Sequence, residues 1–349
     1  MLGHTQDIYA TPLRKADEAR EAAMRTWRTA LYWAGFLAVL VIVPFVASGY
    51  QILQATHVLN YAIALLGLNI LLGYNGQLSL GHGAFCGAGA YLGVLLMNHA
   101  GLPYWTVTPV VALVCLLAGF LFGLPALRLQ GHYLALATFA LALAVPQLLK
   151  HPSLAKWTGG FMGVTVPSIP VPAGLSLDTD QWLYFLSLIH TIAFFLIGWN
   201  LVRGGTGRAM IALRDHPAAA LAMGIDSSLY KSTAFGLSAM YAGTAGALEL
   251  LVTQFASPDN FDLFLSIGFV VGVVVGGVAT ISGAIFGAFF IQFVPDFASE
   301  ISKSAPWAVY GAALIVFMFL LPRGMAGLLM DVQSVVRARL RGFRNRDTP

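Results

Sequence analysis

The chain has 349 residues, of which 58% are hydrophobic and only 10% are charged. Soluble domains carry about 25% charged residues, so this composition excludes an ordinary soluble enzyme and indicates close-packed membrane helices. The net charge of +4 does not require a nucleic-acid partner, because the excess of cytoplasmic Lys and Arg in membrane proteins has the same effect.

The first 30 residues are polar and carry both basic and acidic side chains. Thr11 and Pro12 are placed as an N-cap and a first helical residue, so a helix is predicted to follow them. Glu21 and Arg25 form a favourable i,i+4 pair in that helix. We interpret residues 1–30 as a solvated cytoplasmic helix, in preference to a regulatory or docking element, and not as a secretory signal.

Residues 31–322 have the apolar character of a single transmembrane domain. Crossing the hydrocarbon takes about 20 apolar residues per helix. The candidate spans are residues 31–50, 52–72, 78–97, 105–127, 133–149, 182–202, 232–252, 264–293 and 307–321. The fold class predicted from this pattern is an all-α, polytopic membrane protein.

The positions of the basic residues predict the orientation. Of the 19 lysines and arginines, all but Lys150, Lys156 and Lys303 fall on one side of these spans. That side is expected to be the cytoplasm, because positive charge is retained there.

The apolar run 264–293 is too long for one ordinary span. A single pass would place the basic tail, residues 323–349, outside the cell, so the run is predicted to cross twice or to enter and return. Gly276, Gly277 and Gly283 provide the turn. We therefore predict about ten transmembrane or re-entrant helices, with both termini in the cytoplasm.

Sequence motifs for enzyme chemistry are missing. There is no nucleotide-binding P-loop, no zinc-protease motif and no serine-hydrolase motif, so we predict no catalytic residue, no bound cofactor and no metal site. Cys86 and Cys115 lie inside apolar runs and are interpreted as packing residues. The spans contain one carboxylate, Glu249, which either pairs with a polar neighbour near the outer interface or has a role in a solute pathway.

The segment from Gly73 to Tyr91 is dense in glycine and carries several polar side chains. Glycine is unfavourable inside a helix, so this density indicates close backbone approach or a broken helix. Small-residue packing explains the pattern, and a second interpretation is a bent segment that lines a solute path. The candidate path residues are Asn75, Gln77, Ser79, His82, Gly83 and Gly87.

The loop 203–231 is long for a helix connection. Two short helices broken at His216 and Pro217 are predicted in it, because proline begins a helix well and continues one badly. Ala219, Ala220 and Met223 are expected to form a small apolar face for a partner. A solvated connector is the alternative.

Four stretches together resemble a known family, the membrane subunits of high-affinity branched-chain amino acid ABC importers of the LivM-like branch. They are the glycine-rich segment, residues 129–138, residues 158–163 and residues 207–224. The resemblance covers residues 50–330. The family's coupling motif, Glu-Ala-Ala-x-x-x-Gly, is matched at Ala219, Ala220 and Gly224. Ala218 stands where the motif has glutamate, so a salt bridge from that glutamate is not expected here.

The resemblance implies an importer of several chains. They are this chain, a second related permease, two cytoplasmic ATPase subunits that bind ATP, and a periplasmic solute-binding protein, in and around the bacterial inner membrane. The residues implied to couple to the ATPases are Arg208, Arg214, Asp215, Ala219, Ala220 and Gly224. Close relatives carry urea, amides or aromatic acids, so the solute stays open, and a gradient-driven carrier and a passive channel are the other classes.

Overall fold

A computed structural model of the chain describes residues 35, 37–126, 129, 131–172, 174–303, 305–328 and 331. The predicted N-terminal helix, residues 1–30, and the basic tail beyond residue 331 lie outside the described residues. The chain divides into two compact units, residues 1–52 and residues 53–349.

The described residues are almost entirely helical. The helices are α1 (Leu37–Val46), α2 (Gly49–Asn69), α3 (His82–Asn98), α4 (Tyr104–Ala126), α5 (His132–Lys150), α6 (Pro152–Thr158), α7 (Thr179–Arg203), α8 (Gly205–Asp215), α9 (Pro217–Ala222), α10 (Ser227–Thr253), α11 (Leu263–Gly276), α12 (Gly283–Ile301) and α13 (Pro306–Leu320). The strands β1 (Val164–Thr165) and β2 (Phe255–Ala256) pair antiparallel, with Val164 opposite Ala256.

Eight helical segments of the described part are long and apolar enough to cross a membrane. They are Gly49–Tyr74, Tyr104–Pro125, His132–Lys150, Thr179–Arg203, Ser227–Thr253, Pro258–Gly276, Gly283–Ile301 and Ala308–Leu328. With 17 residues, α3 is shorter than these spans, and α1 is shorter again. The prediction of an all-α polytopic membrane protein is confirmed.

The unit 53–349 has two ends that are recognised by their loops. The loop end carries α8 and α9, which connect α7 to α10. The hairpin end carries β1 and β2, and there Lys150 forms an ion pair with Asp259. Helix α10, which follows α9 and precedes β2, therefore runs from the loop end to the hairpin end.

The predicted turn in the run 264–293 is confirmed. Helix α11 ends at Gly276, a turn follows, and α12 begins at Gly283. Asn69 at the end of α2 holds this turn, because its Nδ2 donates to Thr280 O over 2.7 Å and its Oδ1 accepts from Ala279 N over 2.8 Å. Ala279 has a φ of 58°, so the side-chain clamp stabilises a backbone conformation that alanine rarely adopts.

Close helix packing holds the centre of the bundle. A Cβ at Gly89 of α3 would overlap the backbone of Gly243 of α10, and a Cβ at Gly236 of α10 would lie 2.9 Å from Leu116 O of α4. Only glycine allows helix axes to approach this closely. The core of the unit is thus built from the contacts of α10 with α3 and α4.

Candidate coupling and translocation site

Helix α8 lies against the bundle with one apolar face. Met210 and Leu213 are buried, while Arg208 is exposed and donates from Nη1 to Arg203 O over 3.0 Å. The helix ends at Asp215, and His216 takes a non-helical backbone with φ −142° before Pro217 begins α9. The predicted break at these two residues is confirmed.

The faces of α9 differ from the prediction. Ala220 is 3% exposed and packs inside the chain, so it does not belong to a surface for a partner. Ala219 is exposed, and Leu221 and Met223 are 56% and 83% exposed. Gly224 follows with a φ of +80° and open space around it. The exposed apolar surface of this segment, formed by Ala219, Leu221 and Met223, is called the α9 patch below.

Arg214 connects α8 to the membrane helices. Its Nη1 donates to Gly73 O, just beyond the end of α2. Carbonyl groups at helix ends have no donor within the helix, so this oxygen needs a donor from elsewhere in the chain. Asp215 holds the same guanidinium, with Arg214 Nε to Asp215 Oδ1 at 2.8 Å and Nη2 to Oδ2 at 3.3 Å. The hydrogen bond from Arg214 lowers the pKa of Asp215, so the carboxylate stays charged near neutral pH.

The backbone around Arg214 leaves no room for larger residues. A Cβ at Gly76, where φ is +75°, would lie 2.7 Å from Arg214 Cγ. A Cβ at Gly73 would overlap Asn69 Oδ1 and the backbone of Ala279. The last turn of α2 continues as a π-helix, Ile70–Tyr74, a form that often marks functional positions. We call Gly73, Gly76, Arg214 and Asp215 the Arg214 junction.

The segment after this π-helix, residues 75–81, is not helical, so the third span begins at His82 and not at the predicted residue 78. Gln77 Nε2 donates to Asn75 Oδ1 over 2.7 Å and to Lys231 O, near the start of α10, over 3.3 Å. Ser79 is buried, and its Oγ accepts from Gly81 N over 3.3 Å. The structure thus brings the first half of the predicted path next to the predicted coupling loop.

The second half of the predicted path is packed among α2, α10 and α11. His82 is buried, with Nε2 at 3.0 Å from Ala64 O. Gly83 N donates to Ser266 Oγ over 2.9 Å, and a Cβ at Gly87 would lie 2.9 Å from Phe261 Cβ. These contacts have the character of close packing, and a role in lining a path stays a prediction.

Glu249 has two polar neighbours, His57 and Asn60, that the sequence analysis did not identify. Its Oε1 lies 2.7 Å from His57 Nδ1 of α2, and its Oε2 accepts from Asn60 Nδ2 over 3.1 Å. His57 and Asn60 lie three residues apart on α2, but Glu249 is 189 positions from Asn60 in the sequence, and no local pattern connects it to them. The first of the two interpretations, a carboxylate with polar partners, is what the structure contains.

No set of three or more His, Cys, Asp or Glu side chains within the described part of the chain could hold a metal ion. The free thiols of Cys86 and Cys115 are both buried. The arrangement at the loop end can transmit movement between helices, because a short helix with an exposed apolar patch is connected by a charged hydrogen bond to the end of a membrane span.

Comparison with known proteins identifies the family. The family model described as the branched-chain amino acid transport system permease component matches residues 52–321. The high-affinity branched-chain amino acid transport system permease protein LivM of Salmonella typhimurium is 33% identical over 261 residues, which are 68% of this chain and 60% of that protein. LivM of Escherichia coli K12 is 34% identical over 261 residues, with the same coverage of 68% and 60%.

The chain spans about 60% of the length of these curated relatives. No solved structure matches it significantly. The matched region includes every helix from α3 to α13, the loop with α8 and α9 among them, and the Arg214 junction. The chain is a multi-pass membrane protein and belongs to the family of branched-chain amino acid transport system permease components.

Proposed function

We propose that the chain is the transmembrane permease subunit of a binding-protein-dependent ABC importer, in the bacterial inner membrane, for branched-chain or related amino acids. The observation that supports this most directly is the α9 patch, an exposed apolar surface at the loop end, together with Arg214, which connects the neighbouring helix to α2. An importer needs such a connection, because force from a soluble ATPase must reach the membrane helices.

The partners follow from this assignment. A second permease completes the pathway, two ATPase subunits contact the α9 patch and bind and hydrolyse the ATP, and a periplasmic binding protein delivers the solute. The permease itself is then not an enzyme and needs no cofactor. Membrane lipid surrounds the exposed apolar faces of the long helices, and no nucleic acid is involved.

The loop end is proposed to face the cytoplasm. Arg203, Arg208, Arg214 and Lys231 lie there, whereas Lys150 and Lys156 lie toward the hairpin end. In a cysteine-free background, Asp215→Cys should resist a membrane-impermeant thiol reagent in intact cells, and Lys156→Cys should react. Reaction of Asp215→Cys with the reagent in intact cells would show that the loop end faces the outside of the cell.

The function is tested by purifying the chain from its native membrane with its partners. We expect ATPase subunits to copurify, and reconstituted vesicles should take up leucine only with ATP and the binding protein. ATP-independent uptake driven by an ion gradient would identify a secondary carrier. Uptake of urea, an amide or an aromatic acid in place of leucine would retain the importer and change its solute.

A further inference from the structure

A cavity of about 280 Å³ lies in the hairpin-end half of the bundle, between α2, α3, α10 and α11. Its wall is mostly apolar and includes Leu250, Phe261, Leu265 and Phe269. Pockets for drug-sized ligands have volumes of about 300–1,000 Å³. This cavity therefore has room for a smaller solute with an apolar part.

Glu249 is the acidic side chain in the wall of this cavity, and no Lys, Arg or His of the described residues is part of that wall. An ionised carboxylate accepts about four hydrogen bonds. His57 and Asn60 approach one oxygen each. The carboxylate therefore keeps capacity for a further donor, and its residue lines the cavity.

The surroundings of Glu249 do not form a closed structural network. Asn60 is 0% exposed, and its Oδ1 has no hydrogen-bond partner among the described residues although its Nδ2 is bonded to Glu249. Buried polar networks that serve stability alone normally satisfy their members. Glu249 lies within a membrane-crossing helix, and ionisable groups in such helices are expensive and mark solute pathways.

We propose that Glu249 forms a binding station for the ammonium group of the transported solute, with the solute's apolar side chain against Phe261, Leu265 and Phe269. The choice of an amino acid as this solute rests on the proposed function. A charge-assisted hydrogen bond to the carboxylate fixes the ammonium end. His57 and Asn60 hold the carboxylate in place and so act as positioning residues.

The station is tested by the charge preference of a reporter thiol in the assembled transporter. Cys86 and Cys115 are replaced by alanine, and Asn260→Cys or, separately, Thr253→Cys is introduced, since both residues are exposed in the cavity wall. The rate of modification by the cationic reagent 2-aminoethyl methanethiosulfonate is divided by that for the anionic 2-sulfonatoethyl reagent. We expect Glu249→Gln to lower this ratio about tenfold.

Glu300→Gln is the matched control, because Glu300 is an exposed carboxylate at the end of α12 outside the cavity wall. It should leave the ratio unchanged. An equal fall with Glu300→Gln, or an unchanged ratio with Glu249→Gln, would overturn the station. L-leucine should slow modification, and 4-methylpentanoate, which lacks the ammonium group, should not. Equal protection by both would overturn the ammonium assignment.

Measurements of uptake distinguish a failure of this inference from a failure of the proposed function. Glu249→Gln should reduce leucine uptake about tenfold, the loss of one charge-assisted hydrogen bond, while ATP hydrolysis stimulated by the binding protein continues. Uptake at the wild-type rate in Glu249→Gln would contradict the station alone. A wild-type complex that transports no amino acid would contradict the proposed function, and the charge preference of the reporter thiol would still decide whether the cavity binds cations.

Discussion

Arg214 and Glu249 are charged side chains at opposite halves of the same bundle, and their surroundings differ. Arg214 is partly exposed, and its guanidinium has partners within the chain, Gly73 O and the Asp215 carboxylate, with Gly76 against its stem. Glu249 has two polar neighbours on one side and a cavity on the other. On the proposed function, a charge that is hydrogen-bonded to two segments of the chain is suited to connect them, whereas a charge beside a cavity is available to a ligand.

The difference predicts that substitutions at the two places affect separate steps. Changes at the loop end should uncouple ATP hydrolysis from transport or disturb the fold. On the proposed function, changes at Glu249 should leave hydrolysis and assembly in place and weaken solute binding. The four predictions below test this separation in order of decreasing effect.

The largest effect is expected from Ala220→Arg. Ala220 is 3% exposed inside the chain, so an arginine there places a charge without a partner in an apolar contact, which costs several kcal/mol. We expect a clear fall in the thermal stability of the purified permease. Ala219→Arg, one residue away and exposed, should leave the stability unchanged and abolish retention of the ATPases. The reverse order of effects would show that α9 is oriented differently in the assembled transporter.

Arg214→Met should have the next largest effect. It retains the length of the side chain but removes the donor to Gly73 O, and a hydrogen bond from a charged group contributes about 1.5–3 kcal/mol. We expect uptake to fall about tenfold with the ATPases still bound. Arg208→Met is the control, because the hydrogen bond that Arg208 makes with the described residues goes to Arg203 O, on the surface of its own segment. Equal losses in both variants would mean that positive charge alone, and not the junction, is required.

Gln77→Ala and Ser79→Ala should have smaller effects. Gln77 donates to Lys231 O and Asn75 Oδ1, and Ser79 accepts from Gly81 N, all within the chain. Neutral hydrogen bonds in a partly exposed segment contribute toward the low end of the usual range, about 0.5 kcal/mol each, so the loss of two in Gln77→Ala should lower uptake about fivefold and the loss of one in Ser79→Ala about twofold. Uptake is measured in a fully assembled complex. A complete loss in Ser79→Ala would restore the path-lining interpretation for this segment.

Asp215→Asn should have the smallest effect near neutral pH. The pKa of Asp215 is lowered in the folded protein, so its contribution to stability is present above the ordinary value of 3.8 and is lost as the pH falls through the lower folded value. Between about pH 6 and 8 the carboxylate is fully charged, and the uptake of wild type and variant should show the same pH profile. A profile that changes shape in this range would indicate another titrating group at the junction.

Local sequence signals predicted the loop end well. Proline after histidine placed the break between α8 and α9, and the glycines around Thr280 placed the turn between α11 and α12. These signals work because the backbone limits of proline and glycine act within a few residues. The side of α9 that faces a partner was predicted less well, since alanine fits both a buried and an exposed position, and only the fold shows that Ala220 is buried.

The start of α3 shows a similar limit. The density of glycine and polar residues after Gly73 indicated a break or close packing, and both are present, but the helix begins four residues later than predicted. Thr138 and Lys231, which bond to this segment, lie far along the chain. Hydrogen bonds to distant elements hold this non-helical segment before α3, and no local pattern contains them.

The sequence by itself determined the class of the protein, the approximate limits of most of its membrane helices, and the family to which it belongs. Those properties follow from hydropathy, charge position and short motifs, each of which is local. Only the tertiary structure decided that Arg214 meets Gly73, that Asn69 holds the turn at Thr280, and that His57 and Asn60 meet Glu249 beside a cavity. These contacts join residues more than a hundred positions apart, and packing of the helices is what brings them within hydrogen-bond distance.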